Sequence, residues 1–294
     1  MATKLDIVLS VSGGGILGVG PAHFLARLEK DLGKKLNIVF NGMGGASTGA
    51  IIAGAVNEGI SATEIENLYK KKGKSIFKEY SAWEKAKSVV GESLPKYDNT
   101  ELKKMLKDML KGACSEWKKE IFIPSVDMIS IKNPEKVFDR GDTDIPKWFA
   151  VLASTCAPTY FMPAGSDKNW IDGGMVANNP IAITAAGYKK KTGKAKFKVV
   201  HLETGMLINR KGEGGNKSLI KWGTYVLENF VARSETTNTY IAKALVGDEN
   251  VFVCQPVVEH GFPMDDLSHI DEIVEIWDKY YNEVGKDLIA FINK

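Results

Sequence analysis

Apolar positions along the chain fall into two alternating patterns. Short runs of strand length at Leu5 to Val11, Ile38 to Phe40, Ser125 to Ile131, Val137 to Asp139, Lys198 to Glu203 and Val251 to Pro256 are separated by stretches with helical spacing. Phe24, Leu25, Leu28 and Leu32 follow the first run in this way, and Ile145 to Ala153 is a further helical stretch. Leu102, Met105, Leu106 and Met109 repeat behind Asn99-Thr100-Glu101, where Asn99 is expected to cap the helix. Near the end, Ile270, Ile273, Val274, Trp277, Tyr281, Val284, Leu288 and Ile292 predict a long amphipathic helix docked on the core. Strands alternating with helices predict an α/β fold with a mainly parallel central sheet between helices.

Glycine interrupts this rhythm where chemistry is expected. Gly13-Gly14-Gly15-Ile16-Leu17-Gly18 follows the first strand and opens a helix, so bare N–H groups meet the positive end of a helix dipole. A dinucleotide loop would need an acid about 20 positions on, at the end of a second strand. Ile38 to Phe40 runs into Asn41-Gly42 instead, and no Gly-Lys-Ser/Thr of a Walker loop follows. An oxyanion hole needs only the donors.

Gly45-Ala46-Ser47-Thr48-Gly49 lies between Ile38 to Phe40 and the small-residue run Ala50 to Val56. That context suits a nucleophile elbow, in which glycines let a serine sit on a tight turn. An ordinary loop with Ser47 or Thr48 as helix cap would fit the same five residues. Asp172, in Trp170-Ile171-Asp172-Gly173-Gly174 running on to Ala177-Asn178-Asn179-Pro180, sits on a turn-rich loop that a surface Asx turn would also explain.

A fourth segment, Ser154-Thr155-Cys156-Ala157-Pro158-Thr159-Tyr160-Phe161-Met162-Pro163, stands between the elbow and Asp172. The four segments, in this order from Gly13 to Pro180, resemble the patatin-like phospholipase family. The resemblance implies a patatin-like three-layer fold, with Ser47 as nucleophile and Asp172 as its partner in a dyad. It also implies an oxyanion hole from the N–H groups of Gly13, Gly14 and Gly15, helped by the helix starting at Thr48, and an acyl pocket shaped by Pro158 to Phe161. The implied substrate is a phospholipid or lysophospholipid, with no cofactor and no metal. Leu17 stands where the family loop commonly carries arginine. That departure leaves open a weak or inactive relative that binds lipid or a regulator, and family analogy leaves open a nucleotide-activated, membrane-degrading defence effector.

An aspartate with a pKa near 3.9 is a poor base. Burial must raise it, or the oxyanion donors must carry much of the work. The rival is a Ser, Asp, His triad, for which His201, His260 and His269 lie downstream. His201 reads as a core histidine in a strand, and His260, before Gly261, is the better candidate.

Composition adds context. Across 294 residues, 44% are apolar and 26% charged, ordinary for a globular core. Gly13, Ser47 and Asp172 must meet, so residues 1–294 are expected to form one unit. A lysine-rich helical insertion or cap is expected near 61–119, and a helical extension near 265–294. No apolar run nears the roughly 18 residues of a membrane span. Met1 to Ser12 lacks the features of a signal peptide, and Cys114, Cys156 and Cys254 have no metal or redox spacing. The expected location is cytoplasmic.

The net charge is +3, with lysines clustered at Lys70 to Lys78, running on to Tyr80 and Trp83, and at Lys189 to Lys196. Lysines interleaved with Phe77, Tyr80 and Trp83 suit contact with an anionic membrane surface. A solvated helix face is the plainer account of either cluster. Four arginines and no recognised module argue against a nucleic acid polymer as partner.

Overall fold

A computed structural model describes residues 4–80, 94–207, 218, 235–258 and 260–294; Trp83 lies outside them. The central sheet has the order β4-β3-β2-β1-β6-β8, formed by β1 Ile7–Val11, β2 Gly42–Gly45, β3 Glu120–Asp127, β4 Glu135–Phe138, β6 Lys198–Leu202 and β8 Val251–Cys254. β3, β2, β1, β6 and β8 are parallel, and β4 is antiparallel to β3. A short antiparallel strand, β5 Trp170–Asp172, also pairs with β3, setting Asp172 opposite Ser125. Since β4 occupies the other edge of β3, β5 lies on the side of β2 and continues its line beyond the point where the chain turns away. β7 Met206–Leu207 and β9 Val257–Val258 form a separate pair.

Strand alternation builds two cores. Ile7, Leu9, Val11, Ile121, Ile123, Val200 and Leu202 face one helical layer, while Val8, Phe122 and Val199 face the other. The first layer holds α1 Val19–Leu32, α3 Thr48–Asn57, α4 Ala62–Ile76, α5 Thr100–Met109, α6 Lys147–Thr155 and α10 Ile270–Asn293. A one-turn helix, α2 Leu36–Val39, precedes β2, and another, α7 Gly174–Ala177, follows β5. The second layer holds α8 Ile181–Thr192 and α9 Glu235–Val246. The fold is therefore α/β, a mainly parallel sheet between two helical layers. The C-terminal helix α10 docks on α1, with Trp277 and Tyr281 edge-on to Phe24 at 5.6 and 4.9 Å.

Several expected elements move. Ile38 to Phe40 is not the strand before the elbow: Leu36 and Phe40 are buried four residues apart while Ile38 is 69% exposed, a helical pattern. The strand is Gly42-Met43-Gly44-Gly45, which has almost no side chains to announce it. A Cβ on Gly42 would stand 2.6 Å from the Tyr188 ring, and one on Gly44 would stand 1.8 Å from Thr184 Oγ1, so α8 presses directly on the strand backbone. The run Ser125 to Ile131 begins earlier, at Glu120, and ends at Asp127; its last residues form an exposed loop. Asn99 precedes α5 but does not cap it with its side chain, which reaches the Met162 carbonyl instead. The Asp98 carboxylate accepts from the Thr100 N–H in its place, at 3.0 Å.

Candidate active site

β2 ends at Gly45 and α3 starts at Thr48, so Ala46 and Ser47 make the turn between them, and Ser47 takes its strained corner. Its φ of 54° and ψ of −126° lie where an L-residue is strained. Both flanking glycines are required by close approach: a Cβ at Gly45 would lie 2.1 Å from the Gly49 carbonyl oxygen, and one at Gly49 would lie 2.1 Å from that of Val11. Neither Ser47 nor Thr48 caps α3. No side-chain cap bond forms, and Thr48 Oγ1 is paired with the Tyr69 hydroxyl at 2.5 Å. The turn is an elbow, held by the Ser47 N–H donating to Ser154 Oγ at 3.1 Å.

Asp172 is 4% exposed. Its Oδ1 accepts the Gly174 N–H at 2.6 Å, so the Asx-turn geometry is present, but inside the protein. Oδ2 is buried without a hydrogen-bond partner. Burial pushes the carboxyl up to about 7, although the nearby Ser47 hydroxyl and the Gly174 N–H both pull it down. Ser47 thus lies close enough to influence Asp172 without a hydrogen bond of ordinary geometry. The Asp172 N–H donates to the Cys156 carbonyl at 3.0 Å and the Gly173 N–H to that of Ser154 at 3.2 Å. Ser154 therefore ties both the elbow and the aspartate loop to α6. Ser154 opens the fourth sequence segment, where nothing in the local pattern marks this role.

The glycine loop lies against the elbow: a Cβ on Gly13 would be 3.0 Å from that of Ser47. Its three N–H groups are not equivalent. Gly13 donates to the Asn178 carbonyl at 3.0 Å, so the expectation that it serves an oxyanion is not met. That bond ties the loop to the segment after Asp172. Among the described residues, the N–H groups of Gly14, Gly15 and Thr48 have no acceptor in the fold, and Thr48 heads a helix whose dipole favours an anion. The loop is fixed by Ile16 N–H on the Met264 carbonyl at 2.8 Å and by the Thr204 hydroxyl on the Gly13 carbonyl at 3.0 Å.

The histidines are engaged elsewhere. His201 is fully buried, with Nε2 2.8 Å from Glu203 Oε1, and the Ser12 hydroxyl donates to Glu203 Oε2 at 2.6 Å. His260 pairs with Glu272, and His269 pairs with Glu272 and Asp266. Among the described residues no histidine bonds Ser47 or Asp172, so the triad expected as the rival is not assembled. Nor do three His, Cys, Asp or Glu side chains converge there as metal ligands.

A narrow apolar cleft opens at Ser47, with a cavity volume of about 70 Å³, below the usual range for small-molecule sites. Ala157, Tyr160 and Phe161 line one side, and Tyr69, Ile76 and Phe77 line another. None of the lining residues is basic. Leu17 packs against the core and is not among them. The lysine-rich segment thus contributes through the inner face of α4, whose outer lysines are exposed. In the second cluster Lys191 pairs with Asp139 at 2.9 Å and Lys194 with Asp6, and Lys189, Lys190 and Lys191 stand in the last turn of α8, where positive charge suits the dipole. No described helix is long and apolar enough to cross a membrane.

A family model described as "Patatin-like phospholipase" matches residues 9–185. The chain is 30% identical over 189 residues to an intracellular phospholipase A2 of Caenorhabditis elegans, covering 59% of this chain and 16% of that protein. It is also 30% identical over 194 residues to a cGAMP-activated phospholipase of Escherichia coli (strain TW11681), covering 60% and 54% respectively. Among solved structures, the heterodimeric ExoU-SpcU complex of Pseudomonas aeruginosa is similar, with a TM-score of 0.49 and 14% identity, over 99% of this chain and 52% of that one. The chain therefore spans about half or less of these relatives.

Proposed function

The chain belongs to the patatin-like phospholipase family, and on that premise we propose that it is a lipid acyl hydrolase using a Ser47–Asp172 dyad. The observation that carries this reading is the pairing of a strained serine with a buried carboxyl raised to about 7 whose Oδ2 has no partner. A base poised near neutral pH is what Ser47 needs to become a nucleophile.

In the first half-reaction Asp172 takes the Ser47 proton as Oγ bonds to the ester carbonyl of a phospholipid or lysophospholipid. The oxyanion is met by the N–H groups of Gly14, Gly15 and Thr48, each such donor worth about 10² to 10³ in rate. Collapse breaks the bond to the alcohol oxygen, which receives the proton from Asp172, and leaves an acyl-serine. Asp172 then deprotonates water, which attacks the acyl carbon; the fatty acid departs and Ser47 recovers its proton. With no basic side chain in the cleft, the backbone carries the oxyanion, so Leu17 need not disable the site.

In this reading residues 1–294 act as one catalytic unit, with α4 walling the acyl cleft and α10 bracing α1. It would work in the cytoplasm, at a membrane surface. Mass spectrometry of products from mixed phospholipids and lysophospholipids tests the reading. Fatty acid release by the wild type and not by Ser47→Ala or Asp172→Asn is expected; no release beyond the Ser47→Ala background would leave a lipid-binding or regulator-binding module.

A further inference from the structure

The loop joining β3 to β4 carries the most exposed large apolar side chain of the described surface. Ile131 is 97% exposed, Ile129 61% and Met128 53%, three apolar residues in four positions. Single surface apolar residues are ordinary, but a contiguous group is not. The loop is also held in shape. The Asp127 N–H donates to the Pro134 carbonyl at 2.7 Å and closes its base. Asp127 Oδ1 accepts from the Ile129 N–H at 3.1 Å and from Asn169 Nδ2 at 2.6 Å, and the Met128 N–H reaches the Asn169 carbonyl at 2.9 Å. These bonds fix the backbone from Asp127 to Ile129, from which the Met128 and Ile129 side chains project.

Its position links it to the cleft. β3 is parallel to β2 and β1, so the end of β3 lies at the sheet edge that carries the glycine loop and Ser47. Asp172 is in register with Ser125, and Met128 comes three residues later, about 10 Å further out at strand rise. Positive charge accompanies the apolar group. Lys132 follows Ile131 and is exposed, and Lys71, Lys72, Lys74 and Lys78 are exposed on and just beyond the helix that walls the cleft. Among the described residues these four have no carboxylate partner, unlike Lys191 and Lys194 on the other layer.

We infer that the β3–β4 loop is a lipid-insertion element that seats the Ser47 edge of the sheet on an anionic bilayer. The inference rests on the hydrolase reading for its purpose, though not for its test. Apolar side chains fixed outward gain by leaving water for the acyl boundary, and the lysines are drawn to anionic head groups.

The experiment is flotation with phosphatidylcholine vesicles, with and without phosphatidylserine, beside cleavage of a water-soluble short-chain ester. Wild type and Ser47→Ala should both float with the phosphatidylserine vesicles, less so at high salt. Ile129→Ser/Ile131→Ser, checked for an unchanged melting temperature, should lose about tenfold or more in vesicle partitioning while cleaving the soluble ester normally. Equal flotation of this variant and wild type overturns the inference. So does a wild-type dimer that the double variant converts to monomer without change in flotation, since the loop would then be covered by a second copy. Failure of the hydrolase reading shows separately, as no ester cleavage with flotation intact.

Discussion

Replacing Asp172 by asparagine should stabilise the fold at alkaline pH while abolishing hydrolysis. Asparagine keeps the Oδ1 that accepts the Gly174 N–H but removes a charge from a site only 4% exposed. The folded-state carboxyl is raised from 3.8 to about 7. Between those values the folded chain holds a proton that the unfolded chain has released, so the wild type loses stability as pH rises and reaches its full penalty above about 7. A displacement of about three pH units, at about 1.4 kcal/mol each, amounts to about 4 kcal/mol. Urea unfolding of both proteins across pH checks this. Their difference in unfolding free energy should grow in favour of Asp172→Asn from about pH 4 to about pH 7 and then level off. Over the same range kcat/KM of the wild type on a soluble ester should climb and reach a plateau. A stability difference that stays flat with pH would refute the account of a buried, destabilising base.

Other perturbations probe the same geometry. Ser47→Gly should stabilise the protein by about 1 to 2 kcal/mol in chemical denaturation, by releasing the strain at φ 54°, and should be inactive. Gly49→Ala places a Cβ 2.1 Å from the Val11 carbonyl oxygen and should cost at least about 2 kcal/mol, read as a fall in melting temperature. Ser154→Ala leaves the Ser47 N–H without its acceptor and should lower kcat about tenfold or more with little change in KM. His260→Ala and His269→Ala should retain full activity, where loss of a triad histidine would cost about 10⁴-fold.

What could be read from the sequence was what sterics dictate locally. Gly45 and Gly49 flank Ser47 because carbonyl oxygens occupy the space of their missing side chains, so the elbow is spelled out in its residues. Asp172 was legible as a turn residue, but its burial comes from β5 lying along β3, a three-residue strand too short to leave a pattern. The equivalence of Gly13, Gly14 and Gly15 broke down for a similar reason. Which N–H is spent depends on the Asn178 carbonyl, more than 160 residues away in sequence. Ser125 to Ile131 was read as one strand because apolar residues continue past Asp127, whereas hydrogen bonds with Asn169 and Pro134 end it there.

The glycine strand β2 also limits how the protein can change. Gly44 and Thr184 share one space from opposite sides, a backbone below and a helix above. Gly44→Ala made first would force α8 off the sheet beneath the nucleophile, whereas Thr184→Gly made first leaves a void, gives up the hydroxyl's bond to the Pro180 carbonyl and opens room for the alanine. The two substitutions are therefore order-dependent. The strand that leads into Ser47 can drift only after the helix on the far side of the sheet has yielded, so variation near the nucleophile is gated by a residue on the opposite face.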